Sequence, residues 1–253
     1  MNRLSFVLLL FTFTCISTNA QTGGFASGPA VQGEVTKLSS ILGAALTQSD
    51  VDFTADVSIT SRQLPKAAEM KLSVAGGKIR WDVDTLKMVP DPTAQQMVRN
   101  LKIDQMAMLM ERGKDLVAIY PRLNAWVKVD AASHKEFFEK FAAKDIEAAL
   151  KEVGTETING QSTTKYQVSN EVADLDAGES AFVWRARDLE NLPIRIQATE
   201  SGQTWQIDLS TVKIGKVDSS KFSVPAHWKQ YPSVEQLIMG AMQAGGQFPG
   251  LGQ

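Results

Sequence analysis

The sequence predicts a mainly β (α+β) fold: a strongly curved antiparallel sheet with helices over its concave side. Three observations predict it. Between residues 51 and 84, apolar and polar side chains alternate in three successive runs, a period of two that gives each strand one dry and one wet face. Gly76-Gly77 separates the second and third runs, and two residues free to take positive φ suit a tight hairpin turn. Further along, short runs recur with turn residues between them, while helical spacing appears only near the start, middle and end; that order fits one bent sheet plugged by helices.

Taken in order, Val31, Val35, Leu38, Leu42 and Leu46 form one stripe at spacings of three and four, which predicts a helix. Val51 to Thr60, Ala68 to Val74 and Lys78 to Asp84 are the first three strands. Pro90 and Pro92 precede TAQQMVRN, a loop with a short helix. Residues 105–112 are ambiguous, since Met106, Met108 and Met110 would occupy one strand face and the apolar Ala107 and Leu109 the other; 116–120 and 125–129 are further strands of a meander. Ser133 and Glu136 have capping-box spacing, and Phe137, Phe138, Phe141, Ile146 and Leu150 give a helical face that Gly154 would end. Strands follow at 155–158, 164–169, 180–187, 193–199 and 204–214, with turns at Asn159-Gly160 and Ser201-Gly202. Ser233 and Gln236 open a last helix carrying Val234, Leu237, Ile238 and Ala241.

The chain begins with Arg3, an apolar run from Leu4 to Phe13, and small residues ending at Ala20. The run is shorter than the roughly 20 residues that span a bilayer, so 1–20 reads as a cleaved secretory signal and the location as periplasmic. Thr12-Phe13-Thr14 match a lipobox poorly, so no lipid anchor is assigned to Cys15. Without 1–20 the chain keeps 25 basic and 28 acidic residues and no cysteine. That excludes disulfides and thiolate metal sites, and no basic face with interleaved aromatics exists to bind nucleic acid. Residues 21–30 read as a flexible segment, 31–244 as one domain, and 245–253 as a flexible tail.

Five segments together resemble the LolA-like periplasmic lipoprotein-carrier superfamily. They are GGKIRWDVD; RGKDLVAIYPRLNAWVKV, in which Lys114, Leu116, Tyr120 and Pro121 match a family hairpin; TINGQSTTKYQV; VWRARDLENLPIRIQAT; and VDSSKFSVPAHW, in which Asp218, Phe222 and Pro225 match the terminal signature. The resemblance implies an incomplete β-barrel with a helical lid over an apolar cavity, holding acyl chains in transit between membranes. The carriers' Arg-Pro before the Trp strand is replaced here by Ala75-Gly76, so the lid latch is not carried over to this chain.

The residues point away from catalysis. His134 and His227 are the only histidines, and neither lies in a metal-binding or nucleophile motif. Asp82 and Asp84 share a strand face beside Lys78 and Arg80, and read as surface charges rather than an acid–base pair. No enzyme, cofactor or metal is therefore expected. A carrier instead needs large, soft apolar side chains, and unbranched methionine adapts to ligands of variable shape. Met70, Met106, Met108 and Met110, with Trp81, Phe182 and Trp184, are the expected cavity wall. The expected partners are a lipid or acyl chain and membrane-bound lipoprotein-handling proteins, the chain itself being a monomer. The alternative is a non-enzymatic envelope interaction protein of the same fold with a filled core.

Overall fold

The computed structural model describes residues 46, 50–62, 64, 66–111, 114–129, 147–170, 175, 178–200 and 202–245. The leader, Cys15, His134, the tail, and most of the first and middle helical stripes lie outside them.

Among the described residues, twelve strands form one curved, unclosed sheet. They are β1 (Phe53–Ser61), β2 (Ala68–Ala75), β3 (Lys78–Asp84), β4 (Gln105–Glu111), β5 (Leu116–Tyr120), β6 (Ala125–Val129), β7 (Leu150–Ile158), β8 (Gln161–Val168), β9 (Ser180–Ala186), β10 (Leu192–Glu200), β11 (Gln203–Ile214) and β12 (Lys229–Tyr231). Their order across the sheet is β12-β6-β5-β4-β3-β2-β1-β11-β10-β9-β8-β7. Two meanders, β1 to β6 and β7 to β11, are joined where β1 pairs with β11. All neighbours are antiparallel except β12, which lies parallel to β6.

Local chemistry sets the turns and caps. Gly76 and Gly77 both take positive φ, 54° and 72°, as the β2–β3 hairpin requires. Asn159 and Gly160 do the same between β7 and β8, at 50° and 79°. Asp82 and Asp84, read from the sequence as surface charges, each have a local partner: Asp82 accepts from Arg80, and Asp84 caps the short helix α1 (Thr85–Met88) through Leu86 N–H. Helix α2 (Pro92–Asn100) starts with Asp91 accepting from Ala94 N–H at 2.7 Å and Pro92 in its first turn, where a missing N–H costs nothing. Helix α3 (Val234–Gly245) starts at Ser233, whose Oγ accepts from Gln236 N–H at 3.3 Å.

Two sequence expectations give way. Leu150 and Gly154, assigned to the end of a helix, belong to β7, which begins at Leu150. Pairing with β8 along the whole strand, with a bulge between Glu152 and Gly154, outweighs the helical spacing. β12 has three residues, too few for any periodicity.

The register sorts side chains onto two faces. One is apolar across seven strands: Phe53, Val57, Met70, Leu72, Val74, Ile79, Val83, Val127, Val183, Ile196, Trp205, Ile207 and Leu209 are all buried there. The opposite face carries Glu69, Lys71, Arg80, Asp82, Arg195 and Asp208. Residues 215–228 lead from the centre of the sheet to its β6 edge, and so cross that second face. Arg80 pins them there: its Nη1 donates to the Lys221 carbonyl at 2.7 Å while Nε and Nη2 hold Asp82. Asp218 caps the 3-10 turn at Ser219–Phe222 by accepting from Ser220 N–H. After β12 the chain turns round the edge, and α3 packs on the apolar face.

Candidate functional site

The apolar face is built in rows that run across the strands. Val57, Met70, Val83 and Met106 stand opposite one another in one row. Ala55, Leu72, Trp81, Met108, Ala118 and Val127 form the next. Phe53, Val74, Ile79 and Met110 form a third. Each row ends its bulky run on a methionine of β4, so three flexible thioethers lie side by side. Met106, Met108 and Met110 are only 3%, 1% and 4% exposed. Trp81 differs from its row: it is half-buried while Leu72, Met108, Ala118 and Val127 beside it are buried.

Among the described residues, Leu46, α2 through Ala94 and Val98, and α3 join the buried cluster of this face. Leu46 and Leu237 are buried in the same cluster, with Val234, Ile238, Ala241 and Met242 packed against it. Gly240 lets the helix sit close: a Cβ there would lie 3.0 Å from the Tyr231 ring. Met239 faces outward, 52% exposed.

Tyr120 supplies a polar atom within the apolar face. Burial, and then the charge of Glu235 on α3, raise its hydroxyl above the ordinary tyrosine range. The neutral phenol is therefore favoured in the folded state. An unfolded tyrosine ionises near pH 10, so the stability tied to this group is complete below that pH and falls as pH rises above it. Replacing Tyr120 with Phe is expected to flatten the loss of stability between about pH 9 and about pH 11. Urea midpoints at the two ends of that range measure it.

The seven residues expected to line a cavity do not share a face. Met70, Trp81, Met106, Met108 and Met110 lie on the apolar face, as the pairing of β2, β3 and β4 requires. Phe182 and Trp184 lie on the other: Trp184 stands opposite Lys165 and Arg195, and Arg195 stands opposite Asp208. Phe182-Val183-Trp184 is apolar at three successive positions, so its sequence carries no parity to read.

On that face cations lie over the two rings, Trp184 being buried in the core cluster and Phe182 packed against it. Lys165 Nζ is 4.7 Å from each ring centroid, and the Arg195 guanidinium is 5.9 Å from Trp184, within reach of cation–π attraction. Lys165 also donates to Glu156 at 3.1 Å and holds that carboxyl below its usual range.

The sequence reading named Leu237 on the last helix and Tyr120 only as a motif match, and it missed the β9–β11 part of the apolar face, with Val183, Ile196, Trp205 and Ile207. LVAIY in β5 is apolar on both sides, buried at Ala118, Ile119 and Tyr120 alike, so alternation could not single out Tyr120. His227 is exposed in the crossing segment. Among the described residues no group of three or more His, Cys, Asp or Glu is placed to hold a metal, and no helix is long and apolar enough to cross a membrane.

No protein-family model and no curated protein matches this chain. Solved structures do. MucB, in a complex with MucA, is 10% identical with a TM-score of 0.41, over 76% of this chain and 60% of that one. The Mycobacterium tuberculosis lipoprotein LppX is 16% identical with a TM-score of 0.39, over 76% of this chain and 99% of that one. A LolA superfamily protein from Nitrosomonas europaea is 12% identical with a TM-score of 0.31, over 74% and 97%. The chain thus spans about 60% of the length of MucB and nearly all of the other two. Each is a likeness of structure at 16% identity or less.

Proposed function

We propose that this chain is an extracytoplasmic binding protein for lipids or lipoprotein acyl chains, acting without catalysis, which receives hydrocarbon on the apolar face of its curved sheet. One observation supports this most: the Leu72–Trp81–Met108–Ala118 row, in which a half-buried tryptophan interrupts otherwise buried neighbours and stands opposite Met108, the middle of three methionines on one strand face. There an acyl chain meets an aromatic side chain still in contact with solvent, then side chains soft enough to move aside. Each buried methylene contributes about 0.8 kcal/mol. A dozen contribute on the order of 10 kcal/mol, comparable with the 4–15 kcal/mol that association costs. The leader read at 1–20 supports the extracytoplasmic location.

The near-complete burial of Met106, Met108 and Met110 favours a second reading, an envelope interaction module whose interior is already filled. Native mass spectrometry of protein purified from an exporting host separates the two. The carrier reading expects co-purified lipid that dissociates at raised collision energy. A single lipid-free mass, unchanged after incubation with phospholipid vesicles, would overturn it.

A further inference from the structure

β7 ends the sheet, and among the described residues no strand pairs with its far side. It has nine residues, against three in β12 at the other end. Lys151, Glu152, Val153, Thr155, Glu156 and Thr157 are all exposed, Val153 by 45%. A long open edge is a template for another strand unless something blocks it.

The register fixes which backbone groups are free. Asn159-Gly160 joins Ile158 to Gln161 as a two-residue turn, and residues flanking such a turn exchange both their hydrogen bonds. Counting back, Ile158, Glu156 and Gly154 turn their N–H and C=O toward β8, so Thr157 and Thr155 turn theirs outward. The bulge between Glu152 and Gly154 shifts the phase by one residue. Beyond it the outward residues are Glu152 and Leu150.

We propose that this edge is the docking surface for a second copy of the chain, the two β7 strands pairing antiparallel about a two-fold axis between Val153 and Gly154. The bulge makes the strand self-complementary. In this register outward-turned Leu150 meets outward-turned Thr157 of the second copy, and Glu152 meets Thr155, so these outward-turned groups all find partners. Lys151 then stands opposite Glu156 of the second copy, twice by symmetry. Their cross-strand partners in β8 are Gln167 and Thr163, positions of the same parity, so both side chains lie on one face. They also fall at non-hydrogen-bonded positions, where facing side chains are closest. No like charges meet directly. Glu156 uses one oxygen for Lys165 and keeps a second acceptor oxygen for the incoming lysine. This association is independent of what the apolar face binds, and it departs from the monomer expected from sequence.

Sedimentation velocity of the whole protein over a concentration series tests it. A reversible monomer–dimer equilibrium is expected. Lys151→Glu and Glu156→Lys each place two like-charge pairs in the interface and are expected to weaken the dimer at least tenfold. The double variant Lys151→Glu/Glu156→Lys restores opposite charges and is expected to recover most of the loss. Thr155→Pro removes an outward N–H without touching the bonds to β8; it is expected to give a monomer with the wild-type circular dichroism spectrum and melting temperature. A monomer at every concentration, a dimer indifferent to Lys151→Glu and Thr155→Pro, or a double variant no better than the weaker single one would each overturn the proposal.

Discussion

Replacing Trp205 with alanine is expected to cost about 3–5 kcal/mol, the range for emptying a large buried aromatic site. Trp205 is 1% exposed and lies in β11 between Ala198 of β10 and Ser61 of β1. Both neighbours in its row are small. They cannot expand to close the void, which puts the cost in the upper part of that range. Folded domains are stable by only about 5–15 kcal/mol. The melting temperature is therefore expected to fall by roughly 10 °C for a domain of this size. Trp205→Phe keeps most of the volume and is expected to lose less than half as much. Thermal melts of the three proteins measure the ranking.

Asp208→Ala, on the opposite face, is expected to cost on the order of 2–3 kcal/mol for a different reason. Asp208 accepts from Arg195 Nε at 2.5 Å and from Gln206 Nε2 at 2.6 Å. The Arg195 and Asp208 side chains are 23% and 18% exposed, and Trp184 packs beneath the guanidinium. Removing the carboxylate leaves a cation that water reaches poorly. A fully buried pair broken this way costs about 3–5 kcal/mol, and partial exposure brings the figure down. Asp208→Asn keeps an acceptor for Arg195 and loses only its charge, so about half the cost is expected. Urea midpoints at neutral pH check both variants.

The contrast between these two sites shows what the sequence could carry. From Phe53 to Asp84 the chain alternates with hardly an exception, and strands, hairpin turn and dry face all follow from that. β4 is less legible: Met106, Met108 and Met110 share one parity, but Ala107 and Leu109 are apolar on the other, which leaves the stretch ambiguous. Legibility fails where both faces of a strand are covered. In β9, Val183 is buried in the apolar face and Trp184 beneath Lys165 and Arg195. Periodicity cannot tell which face of such a strand carries the ring. Leu150 and Gly154 fail in another way, since spacings of three and four continue a helical stripe into a strand held by β8. β12 and the pinning of Lys221 by Arg80 depend on contacts between residues far apart in sequence, and no local pattern announces them.

Titration of the protein with saturated fatty acids of increasing length, followed by the emission of Trp81 as the difference between the wild type and Trp81→Phe, tests the central claim most directly. If the apolar face takes up hydrocarbon beside Trp81, the emission shifts on binding and affinity rises by up to about fourfold per added methylene, the equivalent of about 0.8 kcal/mol, until the space is filled. A Trp81 signal that stays constant, or an affinity independent of chain length, would contradict the account and leave the three methionines as core.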